Sequence, residues 1–161
     1  MKTVKAEDLP YRRGVGIMLL NAAGEVFVGR RIDQTVESWQ MPQGGVDKGE
    51  ADEEAAMREL GEEVGTDKAE IIGRLPGDFA YDLPPHLLGV ALHGKYRGQK
   101  QSWFVLRFLG QDSDIDLTRH EPEFAEWRWA KVDELLDLIV PFKREIYAEI
   151  VAAYKSWSLA R

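Results

Sequence analysis

The stretch from Gly44 to Gly65 constrains this chain more than any other. Gly44-Gly45-Val46-Asp47-Lys48-Gly49-Glu50 is a glycine-rich loop, and the residues from Ala51 to Val64 alternate small or apolar side chains with acids. At roughly 100° per residue, Ala56, Met57, Leu60 and Val64 fall on one helical face, the pattern of a buried stripe. Asp52 and Glu53 stand where a helix N-terminus favours acids, and Gly65 is placed to end the helix. Glu59, Glu62 and Glu63, at i, i+3 and i+4, share another face, with Arg58 as the only obvious cation beside them. Three carboxylates so close repel one another. The spacing admits two readings: a solvated acidic surface, or a site for a cation. Among cations, Mg²⁺ suits it, because Mg²⁺ pairs a few carboxylates with water and substrate phosphates.

A chain of 161 residues is long enough for one domain with a proper core and short for two. It contains no Cys, which excludes disulfides, thiolate nucleophiles and Cys-based zinc sites. The net charge of −7 argues against a broad nucleic-acid surface, and no DNA partner is expected. No run approaches the roughly 18 apolar residues of a membrane span, and the first residues lack a signal-peptide core. The expectation is a cytoplasmic protein with no membrane contact.

Residues 1–10 read as a lightly ordered arm ahead of a single domain over 11–157. Strands are expected at Val15–Leu20, Val26–Arg30, Ala69–Gly73, Gln101–Leu109 and Glu126–Ala130, the last from its polar–aromatic alternation. Trp39–Pro42 is a short extended piece that delivers the chain to the glycine loop. Residues 76–100 read mostly as loop with one or two short strands. A short helix over Val132–Ile139 and a longer one opened by Pro141 finish the chain, the latter with Ile146, Ile150 and Tyr154 as its stripe, flanked by Tyr147 and Val151. Strands, a helix, more strands and terminal helices predict an α/β fold, a mixed sheet with helices on both faces.

The pattern Gly44, Glu50, Arg58-Glu59-Leu60, Glu62-Glu63, Gly65 resembles the Nudix box at every charged and glycine position. The apolar residue that normally closes the box is Thr66 here. Flanking stretches extend the resemblance over about Tyr11 to Tyr154. They include Gly29-Arg30-Arg31, Trp39-Gln40-Met41-Pro42-Gln43-Gly44-Gly45, Gly98-Gln99-Lys100-Gln101 with Trp103-Phe104, Pro122-Glu123-Phe124 and Phe142-Lys143-Arg144. These look like the branch of bacterial RNA pyrophosphohydrolases and (di)nucleoside polyphosphate hydrolases. The resemblance implies a Nudix α/β/α sandwich and a hydrolase that cleaves phosphoanhydrides with Mg²⁺ or Mn²⁺. Its implied substrates are the 5′ end of RNA, diadenosine tetraphosphate, or both. The rival expectations are another nucleoside diphosphate derivative as substrate, or a nucleotide-binding module without catalysis.

Residue by residue, the resemblance implies Glu59, Glu62 and Glu63 as metal ligands, with Glu59 the candidate for activating water. Arg58 joins them as a catalytic-site residue that, with Glu50, braces the loop and orients the acids. Glu123 matches a further metal-site acid, with neighbouring Glu121 as its rival. Gly44 and Gly45 would let backbone approach the metal and phosphates, and Gly65 completes the frame. Arg12, Arg31 and Lys143 match phosphate contacts, Phe142 a base-stacking ring, and Tyr81 a tyrosine of dinucleoside polyphosphate hydrolases. The family's second Lys in Gly-Gln-Lys-Gln-Lys-Trp-Phe is Ser102 here. If that position touches phosphate, a cationic contact is missing, and Lys100 or Arg97 is expected to compensate. Trp39, Trp103, Trp127 and Trp129 are expected in the core.

Overall fold

A computed structural model of the protein describes residues 5–33 and 37–161. The expected arm lies partly outside the described residues; Ala6–Asp8 form one 3-10 turn with no buried side chain. Eight strands make one sheet: β1 (Tyr11–Leu20), β2 (Val26–Arg31), β3 (Trp39–Gln40), β4 (Gln43–Gly45), β5 (Ala69–Arg74), β6 (Phe79–Asp82), β7 (Gly98–Phe108) and β8 (Phe124–Ala130). The main path runs β3-β2-β1-β7-β5, with β4 on β1, β6 on β7 and β8 on β2. Every pairing is antiparallel except β1 with β7, so the sheet is mixed.

Two strands begin earlier than their apolar runs. β1 takes in Tyr11 to Gly14, and β7 takes in Gly98 to Lys100, because the two pair continuously from Tyr11↔Gly98 to Leu20↔Arg107. Pairing satisfies backbone groups whatever the side chains are, so polar residues at a strand's start hide its true length. Between β1 and β2, the Asn21 side-chain oxygen accepts the N–H groups of Ala23 and Glu25 at 3.1 and 2.9 Å, an Asx-type turn.

Helices cover both faces. α1 (Asp52–Glu59) and the turn that follows it pack Ala55, Ala56, Leu60 and Val64 against Val15, Ile17, Leu19, Phe27, Phe104 and Leu106. Met57, expected in that stripe, is only half-buried, and Ala55 takes the place beside it. On the opposite face, α2 (Leu135–Leu138) and α3 (Arg144–Leu159) cover Met18, Val28, Trp103 and Val105. Ile146, Tyr147, Ile150 and Val151 are buried there, and Tyr154 is half-buried at the rim. The helix expected over Val132–Ile139 is a 3-10 turn at Val132–Glu134 followed by the single turn of α2. Of the four tryptophans expected in the core, Trp103 is fully buried, and Trp39, Trp127 and Trp129 are half-buried against the two cores.

α1 does not continue as an α-helix to Gly65. Residues Leu60–Val64 form a π-helical turn, closed by the Gly65 N–H donating to the Leu60 carbonyl at 3.2 Å. Such wide turns recur at functional sites, where they re-aim side chains. Gly65 itself is left-handed, with φ 77°, and a Cβ there would meet the Asp116 carbonyl oxygen at 1.7 Å. Both constraints require glycine at that position.

Candidate active site

The box loop and helix are held together by Arg58. Its Nε and Nη2 donate to the two carboxylate oxygens of Glu50 at 2.8 and 2.9 Å, and Nη2 also donates to the Gly45 carbonyl at 2.8 Å. Its Nη1 donates to Glu59 at 2.9 Å and to Glu62 at 3.2 Å. Glu50 in turn accepts the Asp47 N–H at 3.0 Å. The planar guanidinium therefore ties the loop to the helix and holds two of the acids, a geometry an ammonium could not reproduce. Glu50 is held down to about 2 by these bonds from Arg58. Arg58 does not line the cleft described below; it touches the acids that do.

Glu59 and Glu63 are buried while Glu62 is exposed, so the three acids are not one solvated face. Gly44 explains the tightness of the packing: a Cβ on it would come within 2.1 Å of the Glu59 carboxyl carbon. Burial raises the Glu59 pKa to about 7, against the pull of Arg58. Burial also pushes Glu63 well up, reinforced by the Glu123 carboxyl facing it at hydrogen-bonding range, although the Gln43 N–H donates to Glu63 at 3.0 Å. Buried, facing carboxylates hold their charges together only when a proton or cation intervenes.

These acids line a cleft of about 490 Å³. Glu59, Glu62, Glu63, Glu123 and the backbone at Gly44 and Gly45 border it; Glu121 does not. Arg12, Arg31 and Lys143 line the same cleft, with Tyr81 and Phe142 beside Lys143. Lys143 is almost wholly buried, and burial together with neighbouring Arg31 lowers its pKa to about 8. Its Nζ lies 5.0 Å from the centre of the Tyr81 ring, and the Tyr81 and Phe142 rings are 6.1 Å apart. Leu83, Leu87, Ala91 and Leu92 add an apolar wall. Leu92 has φ 54°, a left-handed backbone that is rare for a large side chain and characteristic of ligand-facing loops.

Lys100 requires a correction. It is exposed and stands outside the cleft, because neighbours along β7 alternate between faces. Gln99 lines the cleft, and Gln101 sits on the same face, donating to Gln99 at 2.7 Å and to Gln43 at 3.1 Å. Ser102 is buried on the opposite face. Its hydroxyl accepts from Arg13 and Arg74 at 2.8 and 2.7 Å and donates to Asp52 at 2.9 Å. Position 102 thus serves a polar cluster at the start of α1 and does not line the cleft. Arg97 is likewise away from the cleft, donating to Asp82 at 2.7 Å.

Three participants were not foreseen. Gln43 and Gln99 belong to matched stretches, and the alternation that buries Trp103 would have placed Gln99 on the same face. Asp33 also lines the cleft, accepting from Arg31 Nε and Nη2 at 2.8 Å each. Its signal in the sequence is the short Arg-x-Asp spacing just after a strand.

Among the described residues, no three acidic or histidine side chains already converge as a finished metal cage. The donor set still fits a hard divalent cation: four carboxylates line one open cleft, two of them buried and unfavourably charged without one. Mg²⁺ commonly completes its shell with water and substrate phosphates in place of an all-protein cage.

A NUDIX domain model matches residues 10–150. The RNA pyrophosphohydrolase of Rhodospirillum rubrum is 55% identical over 149 residues, 92% of this chain and 90% of that protein. The RNA pyrophosphohydrolase of Rickettsia rickettsii is 50% identical, covering 92% of each. Among solved structures, a Caenorhabditis elegans Ap4A hydrolase complex superposes with a TM-score of 0.65 at 17% identity, over 93% of this chain and 99% of that one. The Escherichia coli dihydroneopterin triphosphate pyrophosphohydrolase gives 0.63 at 20% identity, over 89% and 98%. These two show the shared fold. Box, sheet and relatives agree, and the chain belongs to the Nudix family, in the branch of the RNA pyrophosphohydrolases.

Proposed function

We propose that this protein is a divalent-cation-dependent pyrophosphohydrolase that removes pyrophosphate from the 5′ end of triphosphorylated RNA. The observation that carries the reading is one cleft that brings four carboxylates together with three cations and two aromatic rings. The likeness to RNA pyrophosphohydrolases at 50 and 55% identity supports the choice of RNA. Diadenosine tetraphosphate presents the same elements, a polyphosphate chain with a base at its end, and is the second reading.

Glu59, Glu62, Glu63 and Glu123 would hold Mg²⁺ or Mn²⁺, with the Gly44 backbone alongside. Such a cation, when bound, offsets phosphate charge and acidifies water. The chain's own contribution is position and charge. Glu59, buried and held by Arg58, is the candidate to take a proton from attacking water. Arg58 fixes the Glu59 and Glu62 carboxylates so that neither swings away as charge develops. Arg12, Arg31 and Lys143 receive phosphate oxygens, and Phe142 offers its ring to the first base. Among the described residues no helix is long and apolar enough to cross a membrane.

Side-by-side kinetics on triphosphorylated RNA, diphosphorylated RNA and diadenosine tetraphosphate test the reading. RNA substrates should give the higher kcat/KM, with chelation abolishing turnover and Mg²⁺ or Mn²⁺ restoring it. A clear preference for diadenosine tetraphosphate would move the assignment to the second reading. No turnover of any of the three would overturn both.

A further inference from the structure

Besides the four glutamates, one more carboxylate lines the cleft, and it sits against Arg31. Asp33 accepts from two donors of Arg31, Nε and Nη2, at 2.8 Å each. Among the described lining residues it is the one acid in an ion pair with a lining cation. A carboxylate and a phosphate offer a guanidinium the same pair of oxygens. Asp33 therefore occupies an edge of Arg31 that a phosphate could use, and Lys143 contributes to the field around it.

The two partners are unequally anchored. The Arg31 side chain is 28% exposed and the Asp33 side chain 58%, so the carboxylate can leave for water while the guanidinium stays in place. A separation of two residues along the chain keeps the carboxylate at a high local concentration near Arg31.

We propose that Asp33 is a built-in competitor for Arg31, a specificity-determining residue that an incoming phosphate group must displace. The inference rests on the reading of Arg12, Arg31 and Lys143 as a phosphate site. Weak anions fail to dislodge Asp33, whereas a polyphosphate that also engages Arg12 and Lys143 succeeds. The alternative role, orientation of Arg31 for phosphate, predicts the opposite sign when the charge is removed.

Inorganic pyrophosphate, which carries no base, is the probe. Its Kd is measured by titration calorimetry, with Mg²⁺ present, for the wild-type protein, Asp33→Asn, Arg31→Ala and the double variant. An exposed ion pair contributes little, so Asp33→Asn should tighten pyrophosphate by about 2- to 5-fold. In the Arg31→Ala background the same substitution should give no gain. A looser or unchanged Kd for Asp33→Asn overturns the proposal. An equal gain without Arg31 overturns it too, because the effect would then be general charge, and so does an absence of pyrophosphate binding in every protein. Failure of the RNA assignment would instead leave pyrophosphate binding intact while RNA turnover is missing.

Discussion

Among the acids of the cleft, Glu59, Glu62 and Glu63 come from the last turn of α1 and the π-helical turn that follows it, and Arg58 of the same helix reaches two of them. Among the cations and rings, Arg12 comes from β1, Arg31 from β2, Tyr81 from β6, and Phe142 and Lys143 from the turn before α3. The three box acids are local in sequence and braced by their own helix. The cationic group, and Glu123 with it, comes together only once distant segments have packed.

The largest expected effect falls on the box acids. Glu63→Gln should lower kcat by about 10²- to 10⁴-fold, the range for a group acting directly in the reaction. Its fold should survive, and its metal-free melting temperature should not fall, because a disfavoured buried charge is removed. A near-wild-type kcat would break the division between the two groups. Phe142→Ala comes next. Stacking on a base is worth ~1–3 kcal/mol, so kcat/KM on RNA should drop by about 5- to 150-fold, while Phe142→Tyr costs little. A sharp fall in melting temperature for Phe142→Ala would mark the ring as packing instead of recognition.

A smaller effect tests the cationic group by pH. The folded pKa of Lys143 is lowered to about 8, so its charge is present below that pH and is lost above it. The kcat/KM should therefore fall as pH rises through about 8 in the free enzyme, by several-fold and through KM. Lys143→Arg, which stays charged, should remove that limb of the profile. A limb that persists in Lys143→Arg would assign it to another group. The smallest effect is at Lys100. Substitution by Ala should change kcat/KM by less than about 2-fold, as for surface positions away from a site. A large loss there would bring the outer face of β7 into substrate binding.

The local group was the legible one. A helical period, three acids on one face and a glycine at the exit can all be read from neighbouring residues, and the structure places them together. The π-helical turn was not legible, since no residue type announces it and the spacing of the acids suits an α-helix equally well. The cationic group could be read only by likeness to relatives, because nothing local connects residue 12 to residue 143. Lys100 shows the limit of such reading. A match assigns a residue type to a position, while the alternation of a strand decides which face it serves, and β7 turns Gln99 inward and Lys100 outward. Ser102 follows the same rule, and its polar neighbours come from β1, α1 and β5, distant in sequence.

The parallel ladder between β1 and β7 has a consequence for how the protein is made. Its partners, Tyr11↔Gly98 through Leu20↔Arg107, lie roughly 90 residues apart. On the ribosome, the first strand and the whole acidic helix emerge well before the strand that completes the sheet beneath them. Until β7 arrives, the apolar face of α1 lacks Phe104 and Leu106, two of the side chains it is built to cover. Closing so large a loop is slow relative to local helix formation. The nascent chain therefore passes through an interval in which its most recognisable motif is synthesised and without a home, a stage at which a chaperone or a slowed codon would have the most to offer.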